Sequence, residues 1–186
     1  MSPAEAQLLP HYDRVGYTSF AGVPANLAML AAFTEISTEA SLFSPDTRIL
    51  DVGCGDGRLG AWLHGQTKAG VWGIDPSLPR IGKAKTNDPA GNYLVFDAWE
   101  YLAGENAKFD LIFMLDFLEH LESPWQMVQL ARGCLSSGPG GIVAVCPLQH
   151  DYVAHFQVYA SAEDFRDRMM PEFCEQLGNN VMAIWR

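Results

Sequence analysis

The sequence is poor in basic residues and contains no long apolar run. It carries 12 Lys and Arg against 22 Asp and Glu, a formal net charge of −10 at pH 7. Proteins that bind nucleic acids by neutralising phosphates show the opposite balance, so we expect no nucleic-acid partner. No segment approaches the ~20 apolar residues of a membrane helix, and the N-terminal segment lacks the basic and apolar regions of a signal peptide. These absences predict no membrane partner and a cytoplasmic location.

Cysteine is also scarce, and its spacing predicts neither a disulfide framework nor a zinc site. The four cysteines are Cys54, Cys134, Cys146 and Cys174, and no two of them form a C-x-x-C pair. The 186 residues, 48% of them hydrophobic, suit one domain with a substantial core. We expect residues 1–45 to form an N-terminal helical cap, including a helix over 27–36, and residues 46–186 to form the main domain.

From about residue 48 the chain alternates between short apolar runs and helical patterns. The predicted strands are 48–52, 71–75, 93–97, 109–114 and 141–146, and the predicted helices are 58–68, 79–85 and 124–135. Continuously apolar strands that alternate with helices indicate a parallel sheet covered on both faces. Ser161 is predicted to cap a further helix, and 173–177 and 181–185 read as an antiparallel hairpin. The fold class is therefore α/β, with a Rossmann-like, mostly parallel sheet and a C-terminal antiparallel β-hairpin.

The first predicted strand runs into a glycine-rich turn, where the backbone can approach a ligand closely. Gly55-x-Gly57-x-x-Gly60 satisfies the dinucleotide fingerprint, and Asp75 lies at about the distance of a ribose-binding acid. An NAD(P)-dependent oxidoreductase is therefore one hypothesis. Two features argue against it: Asp51 places a carboxylate where an anionic pyrophosphate would lie, and no Tyr-x-x-x-Lys pair is present.

Five sequence blocks together resemble the class I S-adenosylmethionine-dependent methyltransferases. The segment 49–59, Ile-Leu-Asp-Val-Gly-Cys-Gly-Asp-Gly-Arg-Leu, is similar to motif I of that family. The segments 73–77, 96–98, 109–121 and 140–145 are similar to its blocks around the second to fifth strands. The order and spacing of these blocks are specific, and the resemblance covers residues 46 to 186. It implies that this part of the chain binds S-adenosylmethionine.

The resemblance also implies a role for individual residues. Asp51 and the backbone from Gly53 to Gly57 would hold the methionine moiety, and Asp75 would accept both ribose hydroxyls. Asp97 and the Ala98 backbone would meet the adenine, and Leu115 would lie near the sulfonium. The predicted cofactor residues are Asp51, Gly53, Cys54, Gly55, Gly57, Asp75, Pro76, Asp97, Ala98 and Leu115. The alternative for Asp75 and Asp97 is simple capping at a strand end, and for the Cys54 side chain it is packing.

The candidates for acid–base chemistry lie just after the fourth predicted strand. Asp116, Glu119 and His120 fall at i, i+3 and i+4, so a helix would place them on one face. The block is similar to the E-x-x-E-H block of ubiquinone-pathway O-methyltransferases, which is linked to a divalent cation, with Asp in place of the first Glu. That shorter side chain favours the alternative in which Asp116 caps a helix and His120 is packed. We predict no metal and take His120 as the catalytic base.

Two segments rich in His and aromatic residues are candidates for contact with the acceptor. One is 148–159, and the other contains His11, Tyr12 and Tyr17. They would bind a flat or hydrophobic molecule, or serve as cover for the sheet edge. With no long insertion between strands, the sequence predicts methyl transfer to a small-molecule acceptor. A methyltransferase-like, non-catalytic subunit of a complex is the alternative, and the sequence leaves the oligomeric state open.

Overall fold

The computed structural model describes residues 1–14, 43–104 and 108–186, and within them seven strands form one sheet. The strands are β1 Arg48–Val52, β2 Gly70–Asp75, β3 Asn92–Val95, β4 Leu111–Leu115, β5 Gly141–Pro147, β6 Phe173–Leu177 and β7 Asn180–Trp185. Their order across the sheet is β3-β2-β1-β4-β5-β7-β6. The first five strands are parallel to one another, and β7 pairs antiparallel with both β5 and β6. The predicted α/β fold with a terminal hairpin is confirmed.

Six α-helices and one 3₁₀-helix accompany the described strands. The helices are α1 Pro3–Arg14, α2 Arg58–Gln66, α3 Leu78–Asn87, α4 Ala98–Ala103, α5 Pro124–Gly133 and α6 Ala162–Met169, and the 3₁₀-helix is Leu118–His120. No helix in the described part of the chain is long and apolar enough to span a membrane. The Ser161 hydroxyl accepts from the Asp164 backbone N–H at 3.1 Å, which confirms the predicted cap of α6.

Apolar side chains are buried on both faces of the sheet, as parallel strands require. In β1, Leu50 and Val52 belong to one core cluster, and Ile49, which directly precedes Leu50, belongs to another. This alternation follows the two-residue period of a strand. The first cluster contains Val128 of α5, and the second contains Leu63 of α2. The helices therefore hold the carboxyl ends of the central strands at a fixed edge, where the glycine turn follows β1.

Two predicted strand ends differ from the structure by two residues. The third strand ends at Val95 and not at residue 97, because the Asp97 carboxylate accepts from the Glu100 backbone N–H at 3.1 Å and starts α4. The fourth strand begins at Leu111, since Phe109 instead forms an isolated bridge with Leu135. The predicted helix over 27–36 lies outside the described residues, as does most of the proposed cap 1–45. Within that range the structure describes α1 and the residues from 43 onward.

Candidate functional site

The turn after β1 has a backbone conformation that requires glycine. Gly53, Gly55 and Gly57 have φ angles of 74°, 53° and 75°, in the left-handed region that other residues rarely adopt. The backbone N–H groups of Gly53 and Cys54 both donate to the Ile74 carbonyl, at 2.9 and 3.0 Å. A Cβ on Gly53 would lie 2.6 Å from the Phe117 ring. Glycine therefore keeps this turn close to β2 and leaves space beside it.

A pocket opens beside this turn, at the carboxyl ends of β1, β2 and β4. Its atom-free volume, which includes the solvent at its open mouth, is about 1130 Å³. Nine of the ten predicted cofactor residues line it: Asp51, Gly53, Cys54, Gly55, Asp75, Pro76, Asp97, Ala98 and Leu115. Gly57 is the exception among them: it is the N-cap of α2, and a Cβ there would lie 2.8 Å from the Ala84 side chain of α3. Gly57 therefore serves helix packing.

Two buried carboxylates face this pocket. Asp75 accepts hydrogen bonds from the backbone N–H groups of Gly55 at 3.0 Å and Ser77 at 2.9 Å. Burial raises the pKa of Asp75, opposed by these two hydrogen bonds and by the Arg80 guanidinium. Burial, and then the charge of Asp75, raises the pKa of Asp51 to about 8. A ligand with positive charge or several hydrogen-bond donors would therefore be favoured here.

The structure shows the alternative role of Asp75 and Asp97, which is capping at a strand end. Both Asp75 oxygens accept turn N–H groups, and the Asp97 Oδ1 caps α4. The same Asp97 oxygen accepts from the Met1 ammonium at 3.0 Å. Each carboxylate oxygen has a second lone pair, so capping and ligand binding are compatible. Cys54 packs with Ile81 of α3 as well as lining the pocket.

One wall of the pocket comes from α1, at residues that no sequence motif singled out. Met1, Glu5 and Leu9 line it, together with Trp99 of α4. The Glu5 side chain is only 6% exposed. Its oxygens accept from Trp99 Nε1 and from the Glu122 backbone N–H, each at 3.1 Å. This buried carboxylate therefore ties α1 to α4 and to the segment before α5.

The start of α1 has a recognisable sequence signal at Ser2 and Glu5. The Ser2 hydroxyl accepts from the Glu5 backbone N–H at 3.1 Å, and Glu5 Oε2 accepts from the Ser2 backbone N–H at 2.7 Å. This reciprocal pair is a capping box, the S-x-x-E pattern. The pattern reveals a helix start, but nothing in it indicates that the same carboxylate also binds Trp99.

The prediction that Asp116, Glu119 and His120 share one helical face is wrong. Asp116 has a φ of 49° and its N–H donates to the Val145 carbonyl, so it ends β4 instead of entering a helix. Only the short 3₁₀-helix Leu118–His120 follows. Glu119 points into the interior and is fully buried, whereas Asp116 and His120 line the pocket.

The His120 ring has a defined tautomer when it is neutral. Its Nδ1 lies 2.8 Å from the Ala154 carbonyl oxygen. A carbonyl only accepts, so Nδ1 carries the proton and Nε2 carries the lone pair. Since His120 lines the pocket, Nε2 is the ring nitrogen whose chemistry suits it to accept a proton from a bound molecule.

The segment 148–159 forms neither helix nor strand, apart from the bridge between Leu148 and Tyr159. The His155 ring packs edge-to-face against His120, with ring centroids 4.8 Å apart, and against His150 at 5.0 Å. Burial lowers the pKa of His155. The segment therefore places further imidazole groups next to His120. The predicted acceptor contacts of Tyr17 and of the His11 and Tyr12 side chains lie outside the described residues.

Comparisons with known proteins agree on one family. A sequence model described as a methyltransferase domain matches residues 25–179. The chain is 33% identical over 117 residues to an uncharacterized methyltransferase of Synechocystis sp., covering 62% of this chain and 54% of the relative. It is 30% identical over 128 residues to the ubiquinone biosynthesis O-methyltransferase of Paraburkholderia phytofirmans, covering 67% and 53%. The chain thus spans about half the length of these curated relatives.

Solved structures of low sequence identity share the fold. The magnesium protoporphyrin IX methyltransferase from Synechocystis with bound S-adenosylmethionine gives a TM-score of 0.70 at 14% identity, covering 100% of this chain and 99% of that one. The DhpI complex with S-adenosylhomocysteine gives 0.68 at 15% identity, covering 98% and 96%.

Proposed function

Because the chain belongs to the class I S-adenosylmethionine-dependent methyltransferases, we propose that its pocket binds S-adenosylmethionine and that the protein methylates a small-molecule acceptor. The observation that carries the proposal is one pocket that brings together the glycine turn and the buried carboxylates of Asp51 and Asp75. A dinucleotide would place its anionic pyrophosphate against Asp51, so this arrangement argues against the NAD(P) alternative.

The residues present fit the chemistry of this cofactor. S-adenosylmethionine supplies a methyl group on a positively charged sulfur, which makes that carbon reactive toward nucleophiles. Asp51 would hold the ammonium of the amino-acid end, with the backbone of Gly53, Cys54 and Gly55 beside it. The second lone pairs of Asp75 would accept the ribose hydroxyls, next to Pro76. Placing the cationic end of a ligand near Asp51 also compensates the cost of burying that carboxylate.

The remaining predicted cofactor residues are assigned to the adenine and to the sulfur of S-adenosylmethionine. Asp97 and the Ala98 backbone would meet the adenine, and Leu115 at the end of β4 would lie near the sulfur. Asp97 Oδ1 already accepts from the Glu100 N–H and the Met1 ammonium, so its Oδ2 is the oxygen we assign to the adenine amine.

His120 is the residue we assign to proton removal from the acceptor. The Ala154 carbonyl holds Nδ1–H, which keeps the Nε2 lone pair in place to accept the proton. Correct placement of the acceptor beside this nitrogen would supply most of the remaining rate increase. The acceptor would lie against the 148–159 segment, where Val153 and Phe156 present apolar surface.

The composition of the chain supports two further parts of the proposal, which are the kind of acceptor and the compartment. The net charge of −10 supports an acceptor other than a nucleic acid. The cysteines in the described part of the chain are all free, which supports a reducing compartment such as the cytoplasm.

Calorimetric titration with S-adenosylhomocysteine tests the site assignment. Asp75→Asn should weaken binding about 10- to 100-fold, because a hydrogen bond to a charged group contributes about 1.5–3 kcal/mol. Asp167→Asn, a change of the same type on the exposed face of α6, is the control and should bind as the unaltered protein does. Equal affinity for Asp75→Asn would refute the assignment. Binding without methyl transfer to any acceptor would favour the non-catalytic subunit.

A further inference from the structure

The Tyr93 side chain of β3 packs against the glycine turn. It is 2% exposed and belongs to one core cluster with Cys54 of the turn and with Ile81 and Ala84 of α3. Cys54 also lines the pocket. The Tyr93 ring therefore contacts the same turn that a ligand in the pocket would contact.

Four glycines leave the space that this ring occupies. A Cβ on Gly73 of β2 would lie 2.5 Å from Tyr93 Cδ1, and a Cβ on Gly57 would lie 3.2 Å from Tyr93 Cζ. A Cβ on Gly60 of α2 would overlap the Tyr93 hydroxyl, and a Cβ on Gly91 before β3 would overlap the ring. Close-packed interiors do not accommodate such overlaps without displacing one of the partners. These four residues form a glycine seat for one aromatic side chain.

The Tyr93 hydroxyl is bound to a buried carboxylate. It donates to Asp88 Oδ2 at 2.7 Å, and both Asp88 oxygens lie 2.9 Å from His64 Nδ1 of α2. Because an ionised carboxylate only accepts, Nδ1 is the nitrogen of His64 that carries the proton. Asp88 is 4% exposed and is the C-cap of α3. One carboxylate therefore joins β3, α2 and α3.

The same elements hold the glycine turn in place. Asn87 Nδ2 of α3 donates to the Asp56 carbonyl in the turn at 2.9 Å. On the side of β2, the Gly55 N–H donates to the Asp75 carboxylate at 3.0 Å. The position of the turn thus depends on β2 and on the packing of α3 and β3, in which Tyr93 is buried.

We infer that Tyr93 and Asp88 are positioning residues for the cofactor turn, and that Gly60 is needed because its missing Cβ leaves room for the Tyr93 hydroxyl. The inference rests on the proposed function, since the ligand that the turn binds is S-adenosylmethionine. Groups that bind a ligand must be held to within about 0.5 Å of their productive positions. A displaced Tyr93 ring would shift Cys54 and the neighbouring backbone, and affinity would fall. Gly60, part of the apparent dinucleotide fingerprint, then serves the seat of Tyr93.

Calorimetric titration of three variants with S-adenosylhomocysteine tests the inference. Tyr93→Phe keeps the ring and removes its hydrogen bond to Asp88, so affinity should fall about 3- to 10-fold. Gly60→Ala should weaken binding about 10-fold or more, because its methyl group overlaps the hydroxyl. When both changes are combined the overlap is gone, and affinity should return to within about threefold of that of Tyr93→Phe alone. Such a rescue requires direct contact between residues 60 and 93.

Two control variants separate positioning from a general loss of stability. Gly65→Ala makes the same change in α2 at a site where nothing lies within 4 Å of the new Cβ. Ser161→Ala removes the cap of α6 and should lower the urea midpoint. Both should bind S-adenosylhomocysteine as the unaltered protein does, because a destabilised protein that is still folded keeps an intact pocket.

Three results would overturn the inference. These are unchanged affinity of Tyr93→Phe, unchanged affinity of Gly60→Ala, or a combined variant that still shows the full Gly60→Ala loss relative to Tyr93→Phe. If circular dichroism shows that Gly60→Ala does not fold, the affinity of Tyr93→Phe decides. Absence of binding to the unaltered protein would contradict the proposed function and this inference together. Normal binding there, with unchanged affinity of Tyr93→Phe, would contradict this inference alone.

Discussion

Replacing Asp51 by Asn should stabilise the ligand-free protein and weaken its affinity for S-adenosylhomocysteine. The carboxylate is 3% exposed, and burial together with the charge of Asp75 raises its pKa from 3.8 to about 8. Between these two pKa values the folded protein keeps a proton that the unfolded chain releases. A raised pKa therefore costs stability as the pH rises from 3.8 to 8, and the cost is absent at lower pH.

The size of this cost follows from 1.36 kcal/mol for each unit of pKa difference. It amounts to about 4 kcal/mol at pH 7 and about 1.5 kcal/mol at pH 5, so it grows by about 2.5 kcal/mol between these conditions. Asn does not ionise, and Asp51→Asn removes this pH-dependent part. Asp75 also has a raised pKa, but it is present in both proteins and its contribution largely cancels in the difference.

Urea unfolding at pH 5 and pH 7 measures this effect. The gain in unfolding free energy of Asp51→Asn over the unaltered protein should be at least about 1 kcal/mol larger at pH 7 than at pH 5. Affinity for S-adenosylhomocysteine should fall about 10- to 100-fold, because the ligand's ammonium loses a charged partner. Asp167→Asn, exposed on α6, should show neither effect. A stability difference that does not change with pH would refute the reasoning.

Three further substitutions test other parts of the site. Glu5→Gln should lower the unfolding free energy by about 1–3 kcal/mol and weaken S-adenosylhomocysteine binding, because the amide keeps one acceptor oxygen in place of two and either Trp99 Nε1–H or the Glu122 N–H loses its partner. Thermal unfolding and calorimetry measure both. Gly53→Ala should lower the unfolding free energy by at least about 1–2 kcal/mol, since alanine is strained at this φ and its Cβ would meet the Phe117 ring. As a control, Gly65→Ala in α2 places a Cβ where nothing lies within 4 Å, so urea unfolding should show an unchanged or higher stability. His120→Ala should reduce turnover about 10²- to 10⁴-fold with little change in S-adenosylhomocysteine affinity; equal turnover would remove His120 as the base.

The fold could be predicted because each element of the central sheet has a local signature. The apolar run Arg48–Val52 followed by alternate glycines specifies a buried strand and a tight turn before α2. The terminal hairpin is marked by Gly178 between two apolar runs, and it has a φ of 62° in the turn. Such signals depend only on residues that are close together in the sequence, so they can be recognised before the three-dimensional contacts are known.

The parts that could not be predicted depend on contacts between distant residues. Glu5 and Trp99 are 94 positions apart, and no periodicity links them. Asp116 was expected on a helix, but hydrogen bonding to Val145 of β5 ends β4 at that position. His155 meets Glu119 only because the loop after β5 folds back onto the 3₁₀-helix. Long-range backbone bonds, and not local propensity, assemble this side of the site.

Thermal unfolding in the presence of S-adenosylhomocysteine, NAD, NADP or buffer alone tests the central claim most directly. A ligand at about 100 times its dissociation constant stabilises the folded state by about 2.7 kcal/mol, which for a domain of this size raises the melting temperature by several degrees. We expect this shift with S-adenosylhomocysteine and none with NAD or NADP. A shift with either dinucleotide and none with S-adenosylhomocysteine would contradict the assignment of the pocket.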